Sequence, residues 1–170
     1  DLDVLQELSE VADVRINFSI GSMDEQVWKT NEPGAPGPMA RMEAMQFLVE
    51  NGITAGVMMA PLLPGISDSE ESINEVAAAA AEHKAQFLGA NVLFLKPGSK
   101  EWFMPMLRET YPHLTTTYDK MYRKTYAPKD YTSMVLKAVD KARWEWGLQV
   151  MEPTKNLRGQ QRQLELALTA

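Results

Sequence analysis

Three apolar segments, in 14–20, 53–63 and 90–96, begin about 35 to 40 residues apart, and helical periodicity fills the stretches between them. Alternation at that spacing means βα units. Units in series give a parallel sheet, because each crossover returns the chain to the same end. Three such strands cannot close a barrel, and one with eight βα units takes about 250 residues. The choice therefore lies between a small open sheet and part of a barrel. "RINFSI" bears on it: Arg15, Asn17 and Ser19 alternate with Val14, Ile16, Phe18 and Ile20, giving one polar and one apolar face. In a helix-covered open sheet the polar face would press on a helix layer, whereas in a barrel it lines the lumen. Arg15 also suits an edge strand that needs a charge against aggregation. The lumen is the expectation adopted.

The remaining elements follow from punctuation. Asp1 or Asp3 would cap a first helix whose stripe is Val4, Leu5, Leu8 and Val11. A chain that opens within one residue of a helix, without Met or leader, reads as a fragment. After the first strand comes an irregular stretch ending "NEPGAPGP". Pro38 then starts a helix and Gly52 stops it, with Met42, Met45, Leu48 and Val49 on one side. The methionines at 39, 42, 45, 58 and 59 read as core fillers. "ITAGVMMAPLLPG" is apolar on both faces, as a covered parallel strand should be, and Pro61 should end it. Ser67 or Asp68 with Glu70 or Glu71 makes a capping box before the stripe Ile73, Val76, Ala77 and Ala80. "ANVLFLKPG" is a third strand stopped by Pro97 and Gly98. The expected organisation is 1–98 for the βα part, 99–150 for a helical, aromatic extension, and 151–170 for a loosely attached polar tail with a weak helical pattern at "LELALTA". In the extension, a helix from Asp130 carries Met134, Val135, Ala138, Val139, Ala142 and Trp146.

Composition removes whole classes. With no cysteine in 170 residues, the chain has no disulfide and no thiolate-held metal or cluster. His83 and His113 stand thirty residues apart, a poor metal pair. A net charge of −6 argues against a generic binder of nucleic acid or anionic membrane, although a local basic patch survives that objection. There is no apolar run near membrane-spanning length and no export leader, so a cytoplasmic protein is expected.

Taken in order, "RINFSI", "DEQVW", "EPG", "ARMEAMQFLVENGI", "GVMMAPLLPGISD" and "FLKPG" resemble the C-terminal half of radical S-adenosylmethionine (SAM) enzymes of the spore photoproduct lyase-like group. The resemblance runs from about Asp1 to Tyr131. It implies an α/β fold in which the three strands are the fourth to sixth of a partial parallel (β/α)6 barrel, followed by C-terminal helices. That barrel binds a 4Fe–4S cluster and SAM, and cleaves SAM reductively to a 5′-deoxyadenosyl radical that abstracts hydrogen from substrate. The Cys-x-x-x-Cys-x-x-Cys loop and the glycine-rich segment that meets the SAM amino group would precede Asp1. The implied partner is thus the missing N-terminal half of the barrel, and the chain alone would be inactive.

The resemblance also implies residues. Ser19 matches a serine whose hydroxyl meets SAM, and Asn17 shares its face. Arg41 would grip the SAM carboxylate or fix its own loop through a bidentate pair. Pro61, with Ala60, Pro64 and Gly65, would lie beside the adenine, and Lys96 would reach an anionic group at the barrel mouth. Glu32, Pro33 and Gly34 shape a loop. No catalytic residue and no metal ligand is assigned. "YRKTYAPKDY" matches the lyase segment after the barrel at Tyr126, Pro128 and Lys129. There Tyr122 and Tyr126 with Arg123, Lys124 and Lys129 would offer stacking faces and phosphate contacts to a nucleic acid, or form a surface loop with aromatic anchors. Two other readings stand beside this one. One is a cysteine-free binding or scaffold module for a protein or nucleic-acid partner. The other is an unrelated barrel enzyme using Asp24 and Asp68, which also look like cap or turn residues.

Overall fold

The computed structural model describes residues 1–151. Helix α1 (Leu2–Val11) leads into β1 (Arg15–Ser19), then α2 (Glu25–Asn31) and α3 (Pro38–Glu50). Next come β2 (Thr54–Leu62), α4 (Glu70–Glu82) and β3 (Phe87–Val92). A helical stretch of α5 (Ser99–Thr110), α6 (Thr115–Met121) and α7 (Lys129–Glu145) returns the chain to β4 (Gln149–Val150). All pairings are parallel and the sheet order is β1-β2-β3-β4.

That order positions everything else. Right-handed crossovers between strands taken in sequence leave the returning helices on one face, whereas a doubly wound sheet reverses its order to cover the second. Here α3 packs on β1 and β2, and α7 on β3 and α4. Ala55, Val57, Met59 and Leu88 are fully buried against Met42 and Met45 of α3, the α4 stripe, and Val135 and Val139 of α7.

The opposite face has another character. The register sets Asn17 beside Gly56, Ser19 beside Met58, and Met58 beside Gly89, so strand alternation puts these on the face away from the helices. Asn17, Ser19 and Asn91 are exposed there, and Met58 and Ala60 are half-buried. Phe87 covers Gly56 on the same face. A Cβ at Gly56 would lie 2.5 Å from the Phe87 carbonyl oxygen and 2.7 Å from its ring, so only glycine fits.

Several expectations need correcting. The 21–37 stretch is not wholly irregular: α2 forms because the Asp24 carboxylate accepts the Val27 amide at 2.9 Å and caps it. The α1 stripe is helical but stays largely exposed, with Val4 59%, Leu8 47% and Val11 82% exposed. Strand β2 runs through Pro61 to Leu62, with a cis Ala60–Pro61 bond and a register irregularity between Met59 and Leu62. The proline sits where the ladder is already broken. The third strand begins earlier, at Phe87, and ends at Val92; Phe94 bridges Tyr126 instead. A fourth strand was not expected, since two residues carry no periodicity. The cap of α4 is Ser69, not Ser67 or Asp68. Met39, Met134 and Trp146 are exposed rather than core. The tail helix expected at "LELALTA" lies outside the described residues. Among the described residues no helix is long and apolar enough to cross a membrane.

Candidate functional site

The C-terminal ends of the strands hold the polar chemistry, the position where ligands meet parallel α/β sheets. Ser19, the last residue of β1, donates its hydroxyl to the Ala60 carbonyl at 2.7 Å. The bond ties β1 to the end of β2 and leaves the oxygen lone pairs facing solvent. Asn17 stands exposed on the same face, over Gly56. Arg15, nearer the strand start, reaches Asp13 at 3.5 Å.

Arg41 is committed to the loop that precedes its helix. Nε donates to Pro36 O at 2.8 Å, one terminal nitrogen to Ser19 O at 2.5 Å, and the other to the Glu32 carboxylate at 2.5 Å. Its side chain is only 13% exposed. The fork therefore clamps the 32–36 loop onto the end of β1, and the carboxylate it grips is that of Glu32. Glu32 was expected only to shape a loop; its ion pair was missed because nothing local in "NEPG" points to residue 41.

Pro61 borders a cavity of about 200 Å³ beneath α2 and α5, whose wall includes Ile20, Ser22, Trp28, Leu93 and Phe103. Lys96 is not part of that wall: it is exposed, its ammonium 5.7 Å from the centroid of the Phe94 ring. The cavity itself had no sequence signal, because its wall comes from six separated segments.

The aromatic segment divides. Tyr118 and Tyr122 are fully buried, their hydroxyls donating to Pro64 O at 2.9 Å and Leu93 O at 2.8 Å. Burial pushes both hydroxyls far above the ordinary tyrosine range. Tyr122 is thus a core residue that fastens the end of β3, which corrects its reading as a stacking face. Tyr126 is 66% exposed and packs on Phe94 at 5.8 Å, so it keeps a free surface. Asp68 accepts from the Gly65 amide at 2.7 Å and from the Tyr131 hydroxyl. Asp24 and Asp68 therefore act as cap and turn residues, which leaves the carboxylate-enzyme reading without its acids. No group of three metal-ligating side chains gathers among the described residues.

No family model matches the chain. No solved structure matches it either. Uncharacterized proteins of Mycobacterium bovis and Mycobacterium tuberculosis are 29% identical over 140 residues, covering 82% of this chain and 41% of theirs. An uncharacterized protein of Methanocaldococcus jannaschii is 26% identical over 141 residues, covering 83% of this chain and 49% of its own. The chain thus spans about two fifths to one half of the length of these curated relatives.

Proposed function

We propose that this chain is the C-terminal wall of a radical SAM enzyme of the spore photoproduct lyase-like type, its strands being the last ones of a partial (β/α)6 barrel. The observation that carries the reading is the winding: strands in sequential parallel order, helices on one face, and Asn17 and Ser19 exposed on the other. Curving into a barrel with further strands buries the second face of a sheet wound this way. The alignment of this chain with part of longer relatives supports the same view.

The chain's residues do not fit the iron–sulfur cluster, since no cysteine is present to ligate it. Cluster ligands and the rest of the barrel belong, in this proposal, to the segment preceding Asp1. A SAM site fits better. The open face offers an amide (Asn17) and hydroxyl oxygen lone pairs (Ser19). Arg41 holds the loop at the mouth rather than the ligand. The chain's own work is to bind and orient SAM and exclude water. A cytoplasmic setting is part of the proposal, and a nucleic-acid substrate is its lyase-like extension, with Tyr126 as the exposed aromatic.

The test is anaerobic reconstitution of the longer polypeptide with iron and sulfide, followed by reduction in the presence of SAM. Formation of 5′-deoxyadenosine is expected, and no stoichiometric cluster absorbance from the 170-residue chain alone. A longer polypeptide that neither binds nor cleaves SAM overturns the reading. The second reading, a cysteine-free docking module, is favoured by the exposed apolar face of α1. A start codon immediately before Asp1 in the coding DNA would select it over the enzyme.

A further inference from the structure

Strands β1, β2 and β3 end on a shared apolar patch. Ile20, Leu63 and Leu93, each the first residue past its strand, are buried and form one side of the cavity of about 200 Å³. The other side comes from helices that follow β1 and β3: Val27 and Trp28 of α2, and Trp102, Phe103 and Met106 of α5. The cavity thus lies at the C-terminal end of a parallel sheet, where α/β folds receive ligands. The Ile20 amide donates to Met58 O at 3.1 Å, so Ile20 continues the β1 ladder and its alternation. It therefore stands opposite Ser19, and the cavity lies on the helix side of the sheet, apart from the open face.

The polar side chains of the wall are engaged within the protein. Ser22 Oγ accepts the Asp24 amide at 3.0 Å, and Ser67 Oγ the Leu63 amide at 3.0 Å. Glu32 and Arg41 pair with each other, and Asn31 Nδ2 donates to Val27 O at 2.8 Å. Trp28 Nε1 and Asn31 Oδ1 find no partner, and with next to no accessible surface they do not face the free space either. An occupant meets mostly apolar surface. A charged one would lose its hydration and gain no free counter-charge.

Size narrows the class further. The space exceeds the roughly 150 Å³ of an apolar cavity that stays dry and admits benzene, which leaves room for a short substituent. Trp102, 69% exposed, gives the cavity an edge at the molecular surface, where a ligand can enter. The structure assigns this cavity as a binding site for a small uncharged molecule built on a single hydrocarbon ring. The assignment does not rest on the radical SAM reading, since every residue of the wall belongs to this chain.

The probe is toluene, titrated into the isotope-labelled 170-residue chain while the indole N–H resonances of its four tryptophans are followed by NMR. The resonances of Trp28 and Trp102, identified by their loss in Trp28→Phe and Trp102→Phe, are expected to shift saturably. Those of Trp144 and Trp146, near the end of α7 and outside the wall, should not move. Benzoate and benzylammonium carry the same ring with a charge and are expected to bind at least about 100-fold more weakly. Val27→Phe puts a ring into the space and should remove toluene binding, with the dispersed tryptophan resonances reporting that it still folds. Absence of a saturable shift at Trp28 and Trp102, or equal shifts at all four tryptophans, overturns the assignment. Comparable affinity for benzoate or benzylammonium overturns the apolar class, and undiminished binding in a folded Val27→Phe places the ligand elsewhere. The titration of the unaltered chain with its charged comparators decides the case even if that variant fails to fold.

Discussion

Arg41 illustrates how one side chain can tie a loop to the end of a strand. Its three donors hold Pro36, Ser19 and Glu32 together, a planar fork that a lysine ammonium cannot reproduce. Arg41→Lys should cost about 2 kcal/mol of unfolding free energy in urea titration, given the strength of charge-assisted hydrogen bonds. Glu32→Gln should cost less, because Glu32 is the more exposed partner. Gly56→Ala brings a methyl against the Phe87 backbone and should destabilise by about 1–3 kcal/mol or more. Ser19 carries a functional prediction. Ser19→Ala in the longer polypeptide should weaken SAM binding in equilibrium dialysis, while the lost bond to Ala60 alone costs about 1 kcal/mol of stability. Unchanged affinity would remove Ser19 from the site.

Among the elements, α1 and α3 make opposite use of the same pattern. Both carry apolar residues at helical spacing, yet α3 buries Met42 and Met45 while α1 buries nothing. Leu8→Ser should therefore change unfolding free energy by no more than about 0.5 kcal/mol. Met45→Ala should cost about 2–5 kcal/mol. The contrast shows what periodicity encodes: it names a face, not the surface that covers it. The α4 stripe at Ile73, Val76, Ala77 and Ala80 was legible because its spacing and its cover both lie within this chain. Pro38 and Gly52 bound α3 as backbone chemistry requires, Gly52 at φ +83°. Helix α2 escaped because "EPGAPGP" dominates its neighbourhood, and β4 because pairing alone defines a two-residue strand. The alternation in "RINFSI" correctly separated the faces of β1. It could not say that Arg41, 22 residues on, would take the Ser19 carbonyl.

For the molecule as a whole, buried tyrosines couple stability to alkaline pH. Tyr118, Tyr122 and Tyr131 have hydroxyl pKa values raised in the folded chain, by burial first and then, for Tyr131, by its bond to Asp68. Their contribution is complete below the unfolded value of about 10 and is lost as pH rises through the higher folded values. The thermal midpoint should fall steeply above about pH 10, and less steeply in Tyr118→Phe, where one such group is gone; an equal slope would exclude Tyr118 as a source. At this scale the account stands on an inward-facing sheet surface completed by further strands beside β1. A crystal structure of the longer polypeptide with SAM is the most direct measurement. The account predicts a parallel strand hydrogen-bonded to the free edge of β1 and SAM in contact with the Asn17 and Ser19 side of the sheet. A layer of helices packed over that side, with SAM elsewhere or absent, would contradict it.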